Sequence, residues 1–97
     1  MSTPTGSIPE RRDVYFEGMV QGVGFRYTAR RIAARFAVTG YVQNLSDGRV
    51  RLVAEGEPEE LSKFLGTLRA TMSTCIHRVE ERVAPATGEF REFQIRF

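Results

Sequence analysis

The sequence predicts an α+β sandwich, an antiparallel sheet with two helices on one face, and three observations lead there. Apolar periodicity switches between two and about 3.6 in the order strand, helix, strand, strand, helix, strand. An Asp-Gly pair sits between the second and third strands, where a hairpin turn belongs, and a proline followed by two glutamates opens the second helix. The order βαββαβ is the split-βαβ or ferredoxin-like pattern. A chain of 97 residues has room for one modest core and not for two domains.

The elements follow in turn. Residues 1–12 are polar and carry Pro4, Gly6 and Pro9, so a disordered extension is expected there, ahead of a domain at 13–97. Over 14–20, Val14, Phe16, Gly18 and Val20 alternate with Tyr15, Glu17 and Met19, a strand with one buried face. From Phe25 the apolar residues become Phe25, Ala29, Ile32, Ala33 and Phe36, one helical stripe. The run from Gly40 to Val50 reads as a strand, an Asp47-Gly48 turn and a returning strand continued by Leu52 and Ala54. Pro58 stands at a first helical position with Glu59 and Glu60 beside it, and Leu61, Phe64, Leu65, Leu68 and Met72 make the second stripe. Residues 76–84 form a strand with imperfect alternation, and Phe93, Ile95 and Phe97 close the chain as a short edge or return strand.

Chemistry concentrates at the junction Val20-Gln21-Gly22-Val23-Gly24-Phe25-Arg26. Two glycines let the backbone curl so that successive N–H groups point inward, and the helix that follows adds its unsatisfied first-turn donors. Arg26 adds a planar five-donor fork matched to phosphate oxygens. A cation in a first helical turn opposes the helix dipole, a conflict that a bound anion relieves. Asn44 is the second candidate, since a carboxamide at a strand end has both a donor and an acceptor with which to hold a water. Taken alone, the glycines need mean only a tight turn and Asn44 only a turn-former. The predicted topology brings them together, because the first strand and the strand at 38–45 run parallel with one strand between them. A strand spacing of about 4.8 Å puts Gln21 and Asn44 roughly 10 Å apart, a gap that an extended arginine and a small anion can fill.

On these two motifs the chain resembles the acylphosphatase family. The segment VQGVGFR matches that family's phosphate-binding loop, and GYVQNLSDGRV matches the strand and hairpin carrying its catalytic asparagine. The likeness runs from about Val14 to Phe97. It implies catalysis by Arg26 and Asn44, a phosphate-binding loop of Gln21, Gly22, Val23, Gly24, Phe25 and Arg26, and hydrolysis of small acyl phosphates without metal, cofactor or covalent intermediate. The chemistry is consistent with so spare a site: the leaving carboxylate has a conjugate acid of pKa about 4 to 5 and needs little protonation. What remains is positioning and charge stabilisation, which dominate phosphoryl transfer in general. The chain departs from the family where a Gly-Pro turn is common and Leu68-Arg69-Ala70-Thr71-Met72-Ser73-Thr74-Cys75 stands instead.

Other readings are weaker. The loop lacks the Gly-Lys-Ser/Thr of a Walker A motif and the third glycine of a dinucleotide fingerprint. Cys75 and His77 have no further Cys or His with which to bind a metal. Glu80 and Glu81 fall on opposite faces of a regular strand and make no catalytic pair. RNA recognition on a ferredoxin-like sheet fails because Val23 stands where a stacking aromatic is needed and residues 49–53 contain none. A carbamoyl-phosphate-binding maturation-type domain, or a regulatory phosphate-binding domain without turnover, keeps the fold and changes the context.

Composition bounds the partners. The formal charge of +2 favours anionic ligands only mildly. All basic residues but Lys63 are arginine, which points to the composition of a GC-rich bacterial genome more than to phosphate contacts, and Arg30, Arg31 and Arg35 read as a solvated helix face. No apolar run approaches the roughly 20 residues of a membrane span, the N-terminus lacks a signal-peptide core, and Cys75 has no internal partner. A cytoplasmic monomer with no nucleic-acid or membrane partner is the expectation.

Overall fold

Five strands alternate apolar and polar residues so that one sheet face is oily and the other charged, and both helices cover the oily face. The computed structural model describes residues 8–97. In chain order the elements are β1 (Glu10–Gly18), α1 (Phe25–Ala33), β2 (Val38–Asn44), β3 (Val50–Gly56), α2 (Pro58–Thr71), β4 (Ile76–Pro85) and β5 (Phe93–Arg96). The sheet order is β4-β1-β3-β2-β5. One row of paired residues crosses all five strands, Glu81, Val14, Leu52, Val42 and Ile95, and from Val14 to Ile95 it shows how register places apolar residues on a common face. Phe25, Ala29 and Ile32 from α1 and Leu61, Phe64 and Leu68 from α2 complete a single core with Val14, Phe16, Val42 and Leu52. Phe16 and Phe25 meet with ring centroids 5.0 Å apart, which ties the start of α1 to the sheet beneath it.

The ferredoxin-like order is present, with three differences from expectation. β1 begins at Glu10, so Glu10, Arg11 and Arg12, expected in a disordered extension, are strand residues; residues 1–7 lie outside the described residues. Their charges are satisfied within β1 and across the sheet. Arg12 donates to Glu10 and Glu81 at 2.6 and 2.7 Å, and Arg11 donates to Glu55 at 2.9 Å. The strand also stops at Gly18, where the Met19 N–H turns to the Cys75 carbonyl at 2.9 Å. Finally, β5 pairs with β2 in parallel, so the sheet is mixed and not wholly antiparallel.

The charged face is layered with ion pairs and stacked guanidiniums. Arg51 makes a two-pronged contact with Asp13 at 3.0 and 2.9 Å. Arg49 and Arg51 stack on Tyr15, and Arg96 lies 3.7 Å from the centre of the Tyr41 ring. Buried Glu55 accepts from Arg11, from the backbone N–H groups of Thr87 and Gly88, and from the Thr87 hydroxyl. It thereby clasps the segment that delivers β5. Burial pushes the Glu55 carboxyl up, but these donors outweigh it and hold it below the ordinary carboxyl value. On the outer edge, β4 is largely exposed and alternates charge, with Arg82 donating to Glu80 at 3.1 Å.

The segment after α2 closes without the Gly-Pro turn. The N–H groups of Cys75 and Ile76 both donate to the Met72 carbonyl, at 2.9 and 3.2 Å.

Candidate active site

The topology delivers the end of β1, the start of α1 and the end of β2 to one edge of the sheet, since β1 and β2 both run antiparallel to β3 between them. Gly22 and Gly24 both have φ of +78°, a left-handed backbone that a side chain would strain even though nothing stands within 4 Å of where a Cβ would lie. Gly24 is the N-cap of α1, and its carbonyl takes the first helical hydrogen bond from the Thr28 N–H at 3.0 Å. Among the described residues, no backbone N–H from Gln21 to Tyr27 donates to a protein acceptor. The first turn of α1 contains no acidic residue. A run of free donors at a positive helix end is what an anion requires.

Arg26 sits half-buried in that first turn, with its guanidinium carbon 4.8 Å from the centre of the Phe97 ring and Nη1 donating to the Arg96 carbonyl at a long 3.5 Å. Unlike Arg11, Arg12 and Arg51, it has no carboxylate partner among the described residues. Asn44 ends β2, paired with Val50, and its Oδ1 is buried without a hydrogen-bond partner. Both residues open onto one pocket of 130 Å³, together with Gly22, Gly24 and an apolar wall of Val20, Phe25, Tyr27, Ile95 and Phe97.

Two residues of the predicted loop stand outside this pocket. Val23 is 45% exposed and does not line it. The side chain of Gln21 turns to the β2–β3 hairpin, where Nε2 donates to the Leu45 carbonyl at 2.7 Å and to the Arg49 carbonyl at 2.9 Å. The gap between loop and strand end is thus spanned by a glutamine as well as faced by an arginine. Sequence reasoning missed Ile95 and Phe97 as pocket residues, because their place depends on the parallel pairing of β5 with β2, which sets Ile95 beside Val42. Cys75 and His77 do not line the pocket, and among the described residues no three His, Cys, Asp or Glu side chains gather as a metal site.

Free helix-start donors, an arginine without a carboxylate partner and a buried acceptor at one end of a split-βαβ sheet define a small α+β protein with a pocket suited to an anion. Comparison with known proteins narrows this. The acylphosphatase family model matches residues 12–95. An acylphosphatase of Archaeoglobus fulgidus is 50% identical over 85 residues, which are 88% of this chain and 96% of that one. One from Solibacter usitatus is 41% identical over 97 residues, covering 99% and 100% of the two chains. Among solved structures, the acylphosphatase from Bacillus subtilis superposes with a TM-score of 0.81 at 26% identity, over 91% of this chain and 99% of that one. T. kodakarensis HypF gives a TM-score of 0.78 at 32% identity, over 91% of this chain but 12% of that much longer one. The chain belongs to the acylphosphatase family; it is an enzyme, and its function is that of the family.

Proposed function

We propose that this chain hydrolyses the carboxyl–phosphate bond of small acyl phosphates by direct in-line attack of water, without metal or cofactor. The N–H groups of the loop from Gln21 to Arg26 and the Arg26 guanidinium hold the phosphoryl oxygens. Asn44 Oδ1 accepts a hydrogen bond from the attacking water and turns its lone pair toward phosphorus. The water oxygen bonds to phosphorus as the bond to the acyl oxygen breaks; the carboxylate leaves unprotonated, and the water's proton passes to the phosphate formed. Charge on the phosphoryl oxygens is met by donors already in place, the form of stabilisation that lowers such barriers most.

One observation carries this reading: the buried, unpartnered Oδ1 of Asn44 in the same pocket as an unpaired arginine. Leaving a buried acceptor unserved costs about 1–3 kcal/mol, so a donor that arrives with the reaction is the natural partner. We propose further that the protein is a bacterial, cytoplasmic monomer without a nucleic-acid partner. In support, no helix among the described residues is long and apolar enough to cross a membrane. The cations Arg11, Arg49 and Arg51 on the open sheet face are each engaged by carboxylates and Arg96 is stacked on Tyr41, which reduces the positive field offered to a nucleic acid.

The likeness to part of HypF favours one second reading, a domain that binds carbamoyl phosphate or inorganic phosphate without turnover. Hydrolysis of benzoyl phosphate in EDTA separates the two. The expected result is turnover by the wild-type protein, cut by about 100- to 1,000-fold but still measurable in Arg26→Ala and Asn44→Ala variants that circular dichroism shows to be folded. Binding of inorganic phosphate, measured directly by titration, is retained in Asn44→Ala and lost in Arg26→Ala. No wild-type turnover, with phosphate still bound, selects the second reading.

A further inference from the structure

We infer that Gln21 is a positioning residue for hydrolysis, acting through Asn44, an inference that rests on the function proposed above. Both protons of its Nε2 are committed, one to the Leu45 carbonyl at 2.7 Å and one to the Arg49 carbonyl at 2.9 Å. These two carbonyls close the hairpin. The Arg49 carbonyl also accepts from the Leu45 N–H at 2.8 Å, one step beyond the pair Asn44 and Val50. The carboxamide is therefore wedged into the mouth of the β2–β3 hairpin directly after Asn44, while its own backbone begins the phosphoryl loop.

The consequence is geometric. The loop follows β1 and Asn44 ends β2, strands that are not neighbours, since β3 lies between them. The Gln21 side chain joins them across that gap and fixes the separation between the donors that seat phosphorus and the oxygen that aims the water. In-line attack depends on that separation, and a displacement of about 1 Å can cost about 100-fold in rate. Phosphate affinity does not depend on it, because the loop donors and Arg26 lie on one continuous turn of chain. Gln21 thus belongs to the turnover step and not to anion binding.

A double-mutant cycle with Asn44 tests this. Gln21→Met keeps length and bulk and removes both donors. In the wild-type background it is expected to lower kcat for benzoyl phosphate by about 10- to 100-fold, with inhibition by inorganic phosphate changed less than about two-fold. In the Asn44→Ala background the same change is expected to cost nothing further. Additive losses, an unchanged kcat, or phosphate affinity falling in step with kcat would each overturn the inference. If Gln21→Met does not fold, Gln21→Lys, which keeps donors for both carbonyls, carries the test. It is expected to retain kcat within about ten-fold, whereas a loss matching Asn44→Ala would refute the role. A wild-type protein that binds phosphate and does not hydrolyse overturns the proposed function and this inference together; activity with an additive cycle overturns this inference alone.

Discussion

The two helices of this protein begin in opposite ways. At the start of α2 the chain meets its own needs: Pro58 occupies a position whose N–H would be orphaned, Glu59 and Glu60 face the positive helix end, and the Glu60 carboxylate accepts from the Ala37 N–H at 2.9 Å. At the start of α1 each of these provisions is missing. The cap is a left-handed glycine, the first turn has no acid, and an arginine adds positive charge to an already positive end, although neither helix has a side-chain cap bond. One helix end is balanced by its own carboxylates, and the other is left open to the anion proposed above. Where a fold leaves donors unmet beside a cation, binding is a better explanation than poor design.

Substitutions at the two ends test that contrast. The largest effect is expected from Arg26→Lys, which preserves charge and loses the fork. A fall of at least about 100-fold in kcat/KM with benzoyl phosphate is expected, and near-wild-type turnover would show that α1 needs only a charge. Next comes Glu55→Gln, a control at a carboxylate that the protein satisfies fully. It should leave kcat/KM within about three-fold and destabilise the fold by about 1–3 kcal/mol by urea unfolding. Its pH signature has a definite sign. Because the folded carboxyl lies below its unfolded value of about 4.5, the stabilisation is complete above that pH and is lost as pH falls through the folded value. Melting temperature should therefore drop more steeply on acidification in the wild type than in Glu55→Gln.

Smaller effects sharpen the comparison. Gly24→Ala, at φ +78°, should cost about 1–2 kcal/mol of stability and weaken inhibition by phosphate, because the loop curls through that residue. Glu59→Gln at the other helix should cost only about 0.3–1 kcal/mol, diminish further in high salt and leave catalysis unchanged. A larger penalty at Glu59 than at Gly24 would mean that α2, and not α1, is the sensitive start.

Much of this was legible in sequence because it rests on local chemistry. Helical stripes, the Asp47-Gly48 turn and Pro58 are signals within a few residues of what they specify. That Arg26 and Asn44 line one pocket was legible because their residue types are odd for their positions. What escaped is settled across the sheet. Arg11, Arg12 and Asp13 look like loop residues until Glu55, Glu81 and Arg51 arrive from other strands to pair with them. The parallel placement of β5, and with it Ile95 and Phe97 in the pocket wall, depends on register between distant segments. The double donation by Gln21 has no local marker, since a glutamine before a glycine turn is equally at home in water.

The outer strand has a consequence for how the protein behaves in a crowd of its own kind. An exposed edge is a template on which another chain can add as a further strand, the first step toward fibrils. β4 presents Arg78, Glu80, Glu81 and Arg82 along its length and ends at Pro85, which has no N–H to offer. A second copy laid in register and parallel would set each charge against its like. The opposite border, β5, is only four residues long. Growth in that register is opposed at one border by charge and at the other by the shortness of the strand.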